Sequence, residues 1–265
     1  MRSVVISDVH VPSEVDMGTY MFILNVIESL KPDRVEILGD YGDLMGLSRF
    51  AKAPTEVGVL QDDLDAIYDA LLQLRVRAPD AHIKFINGNH DDRVRRYLQE
   101  QAPGLFGINA LTTQSLYRLD ELDIEYGEGQ YQVGKLWMLH GHEIKVNGGT
   151  NPARSAMLKI NDSAIFGHVH KFSVSHKQSF TGKNFFVYSN ACIADLNPSY
   201  LTMPDWVQGF SVIDFSESGL FQVQQVQVWK EDDGTRLCFV DGKPYKETPV
   251  EKPKAKRGRP KKVKS

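Results

Sequence analysis

The stretch Val35-Glu36-Ile37-Leu38-Gly39-Asp40-Tyr41-Gly42-Asp43 joins an apolar run directly to two carboxylates. The run has the length and apolar content of a buried β-strand. The end of a strand is a rigid platform, from which a short loop can direct side chains to one point. The stretch therefore predicts a strand that carries Asp40 and Asp43 to a functional site.

Four other motifs repeat this arrangement along the chain. Each follows a short apolar run: Asp8-Val9-His10 follows residues 4–6, Gly88-Asn89-His90-Asp91 follows residues 83–86, His140-Gly141-His142 follows residues 137–139, and Gly167-His168-Val169-His170 follows residues 164–166. Sites in open α/β sheets gather at the carboxyl ends of strands. The sequence thus predicts five strands that end in carboxylate, imidazole or amide groups.

The residue types in these motifs favour divalent metal ions. Carboxylate, imidazole and amide oxygen form a mixed set of ligands that suits Mn²⁺, Fe or Zn²⁺, and the motifs lack the thiolates of a structural zinc site. Two ions roughly 3.5–4 Å apart can clamp a phosphoryl group, neutralise its charge and lower the pKa of a bridging water until it becomes hydroxide. We therefore expect a catalytic site that needs no protein nucleophile.

In their order, the motifs D-x-H, GD-x-x-D, GNH-D, H and GH-x-H resemble those of the calcineurin-like metallophosphoesterase family. The resemblance implies an α/β fold, a four-layer sandwich of two mixed β-sheets flanked by helices. It implies a first metal held by Asp8, His10, Asp40 and His170, and a second held by Asp40, Asn89, His140 and His168. Asp40 would bridge the two ions, for which we expect Mn²⁺, with Fe, Zn²⁺ or Ni²⁺ as alternatives.

The resemblance also implies roles for residues that do not bind metal. His90 would protonate the leaving oxygen or steady the phosphate, and Asp43 would orient its imidazole. His142 is expected to support the site rather than to bind metal. Arg93 and Arg96 follow the GNH-D motif on a predicted short helix, where substrate contact and a solvated helix face are both open.

The apolar periodicity changes along the chain. Helical spacing in residues 20–30 and 64–74 alternates with the strands up to Gly88, which is the βαβ pattern of a parallel sheet. Past Gly129 the predicted strands dominate, at residues 185–188, 211–215 and 220–229. We expect a phosphoesterase domain at residues 1–230, a β-hairpin at 231–245 with an Asp241-Gly242 turn, and a disordered basic tail at 246–265.

Composition bounds the class of protein. The 265 residues include 42% hydrophobic ones but no apolar stretch long enough to cross a membrane and no apolar leader, so we expect a soluble, cytoplasmic protein. Cys192 and Cys238 are too few for a disulfide framework. Heptads are lacking, and the oligomeric state stays open, with a dimer as one possibility.

The C-terminal tail differs in charge from the rest of the chain. Residues 251–265 carry eight basic residues and one acid, a net +7, so the total of −3 leaves −10 for residues 1–250. The segment Lys256-Arg257-Gly258-Arg259-Pro260-Lys261 resembles an AT-hook, whose arginines enter the narrow minor groove of A·T-rich DNA. A generic polyanion-binding arm is the alternative.

These features favour a two-metal phosphodiesterase or nuclease that cleaves DNA by attack of a metal-bridging hydroxide. A phosphomonoesterase for nucleotides or phosphoproteins, with a localising tail, is one alternative. A DNA-binding accessory protein with an inactive site is another, although none of the expected ligands is missing. Residues 190–200 and 206–210 also resemble a subgroup of these phosphoesterases often encoded by bacteriophages and prophages.

Overall fold

Fourteen strands and five α-helices occur in the part of the chain that this computed structural model describes, residues 1–49, 59–146, 149–198 and 204–248. In chain order they are β1 (Arg2–Ile6), α1 (Met17–Leu30), β2 (Arg34–Leu38), α2 (Leu60–Arg77), β3 (His82–Ile86), α3 (Arg93–Gln101), α4 (Thr113–Leu116), β4 (Ile124–Gly127), β5 (Tyr131–Val133), β6 (Leu136–Leu139), α5 (Pro152–Met157), β7 (Ala164–Phe166), β8 (Ser173–Gln178), β9 (Asn184–Ser189), β10 (Gly209–Phe215), β11 (Phe221–Gln227), β12 (Trp229–Lys230), β13 (Arg236–Val240) and β14 (Lys243–Glu247).

Two mixed sheets form the centre of the fold. The first has the order β11-β10-β1-β2-β3-β4, in which β1 to β4 are parallel and β10 and β11 are antiparallel. The second has the order β5-β6-β7-β9-β8, with β6, β7 and β9 parallel. Because the carboxyl ends of parallel strands share one edge of a sheet, β1, β2 and β3 deliver their loops together, as β6 and β7 do.

Apolar side chains alternate between the two faces of each sheet. In β1, Val5 faces the second sheet and packs with Ile165 of β7, whereas Val4 and Ile6 face the helices α1 and α2. On the far side, α5 packs on the outer face of the second sheet through Ala153 and neighbouring apolar residues. The layers are therefore helix, sheet, sheet and helix, which confirms the predicted four-layer α/β sandwich.

Local signals explain the ends of α1. The Asp16 side chain caps the helix by accepting a hydrogen bond from the Thr19 N–H at 3.0 Å. At the other end Lys31 adopts a left-handed conformation, with φ of 45°, and Pro32 cannot continue the helix. The 14-residue helix buries its apolar side against the first sheet.

A small antiparallel sheet, β12-β13-β14, follows the main sheets. Its residues Cys238 and Val240 are buried in the same core as α1. Strand β14 runs to Glu247, so residues 246 and 247 are ordered and do not belong to the tail that the sequence predicted, because they pair with Leu237 and Arg236 of β13. The basic segment 251–265 lies outside the described residues.

Within the described ranges, no helix combines the length and the apolar character needed to cross a membrane.

Candidate active site

The five motifs converge at the carboxyl edges of the two main sheets. The first sheet contributes Asp8, Asp40 and Asn89 from the loops after β1, β2 and β3, and the second contributes His140 and His168 from the loops after β6 and β7. Asp8, His10 and His170 lie with their ligand atoms within 4.8 Å of one another, as do Asp40, His140 and His168. The seven predicted metal ligands thus share one site, which crosses from one sheet to the other.

The first group contains two imidazoles that face each other. The Nε2 atoms of His10 and His170 are 3.2 Å apart, and Asp8 Oδ1 lies 3.3 Å from the His170 Nε2. All three side chains are buried. Three ligand atoms from buried side chains therefore point into one small space.

The second group surrounds His140. Its Nε2 lies 3.2 Å from Asp40 Oδ2 and 3.2 Å from Asn89 Oδ1. Asp40 also belongs to a third cluster, with His10 and His90, whose ligand atoms lie within 4.8 Å of one another. Asp40 consequently stands between the two groups, the position that the predicted bridging role requires.

Hydrogen bonds from the backbone fix the two central carboxylates. The N–H of His168 donates to both carboxylate oxygens of Asp8 at 3.0 Å, and the N–H of His90 donates to Asp40 Oδ1 at 2.7 Å. Gly88 permits this approach, since a Cβ on it would lie 2.2 Å from Asp40 Oδ1. The glycine of the GNH-D motif is therefore required by the proximity of two loops.

The backbone itself is strained around the ligand atoms. Of the eleven non-glycine residues with positive φ in the described part of the chain, five are predicted ligands: Asp8, His10, Asp40, His168 and His170, with φ between 49° and 68°. Such conformations are uncommon for residues with a Cβ and cluster at functional sites. The fold thus holds these side chains in place at a cost in backbone energy.

The donor set fits cations. His140 Nδ1 lies 2.7 Å from the carbonyl oxygen of Leu38, so the ring donates there and its Nε2 carries a lone pair in the neutral form. That lone pair meets the oxygens of Asp40 and Asn89, which are acceptors as well. Lone pairs that converge in a buried space repel one another, and a cation among them removes this repulsion.

The pKa shifts in the site indicate the same demand for positive charge. Burial alone would lower the pKa of His140, but the carboxylates of Asp40 and Asp8 raise it to about 10. Burial would raise the pKa of Asp40, and His140 and His90 nevertheless hold it well below its ordinary value. His168 differs, because burial and the neighbouring His140 lower its pKa to about 4. The carboxylates therefore stay ionised in a buried site.

His90 lies beside the ligand cluster and is oriented by Asp43. The Nδ1 of His90 is 2.7 Å from Asp43 Oδ1, which leaves Nε2 on the side of Asp40, 3.9 Å from its Oδ2. Asp43 is fully buried, and although burial raises its pKa, hydrogen bonds with His10 and His90 lower it strongly. This is the arrangement that the resemblance implied for the two residues.

The two arginines proposed for substrate contact differ in placement. Arg93 donates to the backbone oxygen of Asp43 and, at 3.2 Å, to its Oδ1, and Arg93 Nη2 lies 3.3 Å from His90 Nε2. Arg96 instead donates to Asp92 Oδ2 at 3.0 Å and to the carbonyl of Asn89 at 2.9 Å. Arg93 therefore reaches the site directly, whereas Arg96 supports the loop that carries Asn89. The predicted DNA-binding residues 256–261 lie outside the described residues.

Asp91 is a structural residue of the site whose role the sequence did not reveal. Its carboxylate accepts hydrogen bonds at 2.9 Å from the N–H of Gly42 and of Gly88, and one at 3.0 Å from the Tyr117 hydroxyl. Burial and the charge of Asp40 raise its pKa to about 6, despite these bonds. Asp91 thereby ties the GNH-D loop to the loop after β2. Its place directly after His90 was the available signal.

Glu143 has a similar role in the second sheet. It accepts hydrogen bonds from the N–H of His140 at 3.3 Å and of Gly141 at 2.7 Å, and so holds the loop that carries His140. No pattern in the sequence pointed to it. His142 lies beside this loop, with its ring 5.3 Å from that of His140 and outside the ligand groups found in the described residues.

Comparison with solved structures finds distant similarities. The chain is similar to the phosphoesterase Yfce from E. coli (15% identity, TM-score 0.39, 81% of this chain and 88% of that chain). It is also similar to TT1561 of Thermus thermophilus (10% identity, TM-score 0.36, 84% of this chain and 98% of that chain). A third similar structure is a dimetal phosphatase from Danio rerio (10% identity, TM-score 0.38, 94% of this chain and 98% of that chain). No curated protein matches the chain significantly.

A family model gives the stronger result. The model of the calcineurin-like phosphoesterase superfamily domain matches residues 1–191. The matched segment contains both groups of ligand residues, together with His90 and Asp43. The chain therefore belongs to the calcineurin-like phosphoesterase superfamily.

Proposed function

We propose that the protein is a two-metal phosphodiesterase that acts on nucleic acid. The observation that carries the choice of a diester is a pair of cavities, one on each side of α3, which both border the GNH-D loop, the first at Gly88 and the second at Asn89 and His90. Their volumes are about 600 Å³ and 570 Å³. Each falls in the range of sites that hold small organic ligands, roughly 300–1,000 Å³.

The larger cavity, here called the His142 cavity, is lined by residues that include Asn87, Phe106, Tyr126 and His142. The other, here called the His90 groove, lies between residues 46–49 and α3 and ends at Asn89 and His90. Both touch the GNH-D loop, from opposite sides.

The sequence of α3 explains why the cavities are separate. Arg93, Arg96 and Tyr97 line the His90 groove, whereas Arg95 and Leu98 line the His142 cavity. With about 100° between successive residues, these two sets point to opposite faces of the helix. A phosphorus atom held beside the GNH-D loop would therefore have room for an organic group on each side of that loop. A phosphodiester has two such groups, and a phosphomonoester has one.

The side chains can be assigned to steps of this reaction. Divalent cations held by the seven ligand residues would neutralise charge on the phosphoryl oxygens and lower the pKa of a bound water. His90, in its protonated form, would donate the Nε2 proton to the departing oxygen, while Asp43 holds the Nδ1–H. Arg93 would stabilise negative charge next to His90.

Charge supports nucleic acid as the substrate. Residues 1–250 have a net charge of −10 and would repel a polyanion on average, whereas residues 251–265 carry +7. We propose that this basic segment, through its AT-hook-like sequence, holds A·T-rich DNA near the site. Bound cations would add local positive charge at the cleavage point.

The test compares a diester with a monoester. Purified full-length protein with Mn²⁺ should hydrolyse bis(4-nitrophenyl) phosphate faster than 4-nitrophenyl phosphate, and Asp40→Asn should abolish both activities. His176→Ala, an exposed histidine of β8, is the matched control and should change neither. A clear preference for the monoester would favour the phosphomonoesterase alternative and contradict the proposal.

The role of the basic segment is tested separately. Removal of the residues after Pro249 should reduce cleavage of long duplex DNA more than hydrolysis of bis(4-nitrophenyl) phosphate, because only the polymer contacts the tail. The loss on DNA should shrink as salt is raised, since phosphate contacts release counterions. Equal losses on both substrates would show that the segment does not hold DNA.

A further inference from the structure

We infer that the His90 groove binds the nucleoside that leaves when the diester is cleaved, with Tyr97 as the surface on which its base stacks. This inference rests on the proposed phosphodiesterase function and assigns a direction to the substrate: the leaving nucleoside lies between residues 46–49 and α3, and the retained group extends to the other side of the GNH-D loop, towards the His142 cavity.

The direction follows from the position of the proton donor. His90 is oriented by Asp43 and lines the groove next to the candidate ligand Asn89. A group that donates a proton must lie within hydrogen-bond reach of the oxygen that receives it. The leaving oxygen is therefore next to His90, and the organic group attached to that oxygen extends into the groove.

Arg93 marks the phosphate end of the groove. Its guanidinium is bound to Asp43 and lies 3.3 Å from His90 Nε2, so it is fixed beside the same oxygen. An arginine carries five N–H donors, and the contacts to Asp43 engage only part of this set. The remaining N–H groups can meet a phosphoryl oxygen.

The other charges in the groove are balanced. Arg96 pairs with Asp92 at 3.0 Å, and Arg49 pairs with Glu100 across the groove, between its two walls. A groove with paired charges away from the phosphate end offers, among its described lining residues, no second site for a phosphate group. The part of the leaving strand that it holds is therefore the first nucleoside, which is uncharged.

The aromatic side chain in the groove selects the kind of substituent. Tyr97 is 45% exposed although its neighbours on α3, Val94 and Leu98, are buried. Its ring is available to a planar partner. Tyr97 and Gln101 both line the groove, and their side chains carry a hydroxyl and an amide that can pair with polar atoms on the edge of that partner. A planar ring with a polar edge, joined to phosphate through an uncharged sugar, is a nucleoside.

The proposed stacking on Tyr97 is tested by comparing two phosphate ligands, one with a base and one without. Thymidine 5′-monophosphate and methyl phosphate would be titrated into Mn²⁺-loaded full-length protein by calorimetry. Tyr97→Ala should weaken binding of the nucleotide about tenfold, since base stacking on an aromatic ring contributes this much or more, and should leave methyl phosphate unchanged. Tyr97→Phe should retain the affinity.

Phe106→Ala is the matched control, because Phe106 is a similarly exposed aromatic residue, at 48%, that lines the His142 cavity. It should not change the affinity for the nucleotide. Loss of affinity in Phe106→Ala instead of Tyr97→Ala would place the base in the other cavity and overturn the inference. An equal effect of Tyr97→Ala on both ligands, or none on either, would do the same. O-phosphotyrosine that binds more tightly than the nucleotide, with dependence on Tyr97, would assign the groove to phosphoproteins.

Failure of the inference differs from failure of the proposed function. Hydrolysis of bis(4-nitrophenyl) phosphate with nucleotide binding that is independent of Tyr97 would refute only the groove. Nucleotide binding that depends on Tyr97, without hydrolysis of any diester, would refute only the phosphodiesterase.

Discussion

At the scale of single residues, the ligand side chains occupy backbone conformations that glycine would adopt more easily. His168 and His170 have φ of 68° and 58°, and Asp40 has 49°. Glycine would relieve the strain but offers no ligand atom. Strained backbone at residues that offer ligand atoms is explained if metal binding requires the side chains to point in these directions. The surrounding sheets then supply the stability that the strained loops lose.

This strain can be measured at His168. In the presence of a chelator, His168→Gly should be more stable than His168→Ala by about 1 kcal/mol, because only alanine opposes the left-handed conformation. The measurement is the free energy of unfolding in urea. Asn89 is the control, since it is not among the described residues with positive φ, and there alanine should be the more stable replacement. If glycine were the more stable replacement at both positions, or alanine at both, the proposed backbone strain at His168 would be contradicted.

The proposed proton donor gives a second prediction. His90→Ala should lower kcat for a diester by about 10² to 10⁴, the usual contribution of general acid catalysis, while the Mn²⁺ content stays the same. The metal content is expected to persist because both ligand groups can form without His90: Asp8, His10 and His170, and Asp40, His140 and His168. Elemental analysis beside steady-state kinetics separates the two effects. A variant that loses its metal together with its activity would make His90 a ligand instead.

The sequence indicated which candidate ligand residues come together in the site better than it indicated the residues that support them. Carboxylate and imidazole after an apolar run are visible in one dimension, so Asp8 and His140 could be identified. The sign of φ at these residues is set by contacts between loops that are far apart in sequence, so it could not be predicted from the sequence. Glu143 became meaningful only when the structure placed its carboxylate under two N–H groups.

At the scale of secondary structure, strands and helices were predictable where apolar residues repeat with one period. The strands before each motif and the helices α1 and α2 follow this rule. The separation of two cavities by α3 was not predictable, because the apolar spacing of Val94 and Leu98 indicates only the buried face of the helix and not the loops that lie against its other faces. That assignment depends on the loops packed around the helix.

The cap of α1 yields a prediction at this scale. Asp16 accepts from Thr19 and pairs with Arg236 of β13 at 3.1 Å, so it joins the helix to the small C-terminal sheet. Asp16→Ala should lower the free energy of unfolding by about 1 to 2 kcal/mol, the usual cost of a lost cap. Asp16→Asn keeps an acceptor for the cap and should cost less.

The pH dependence of the Asp16 variants follows from its pKa. Burial raises the pKa of Asp16, but hydrogen bonds from Thr19 and Gln208 outweigh it, and the pKa is lowered in the folded protein. A lowered pKa stabilises the fold above the unfolded value and loses this effect as the pH falls. The difference between wild type and Asp16→Asn in urea unfolding should therefore be full at pH 7, begin to shrink at about pH 4, and be lost as the pH falls through the lowered pKa of Asp16. A difference that does not shrink as the pH falls would contradict the charge account.

At the scale of the whole molecule, the proposed cation pair connects the two sheets. Removal of the cations should therefore destabilise the entire fold rather than one loop. At a free concentration about 100 times Kd, one bound cation stabilises by about 2.7 kcal/mol, which corresponds to an increase in Tm on the order of 5 to 10 °C. Scanning calorimetry of the protein with Mn²⁺ and with a chelator measures this difference in Tm. Asp40→Asn should show a smaller increase, and an equal one would mean that the metal binds elsewhere.

The distribution of ligands between the sheets also bears on biosynthesis. A ribosome that has reached the end of α3 has made Asp8, His10, Asp40 and Asn89, but no part of the second sheet. The set of candidate ligands is complete only when His170 has been synthesised. Strand β10, which pairs with β1, is translated later still. An unfinished polypeptide therefore cannot assemble the hydrolytic centre. Under the proposed function, phosphodiester cleavage would therefore begin only after these later strands have left the ribosomal tunnel.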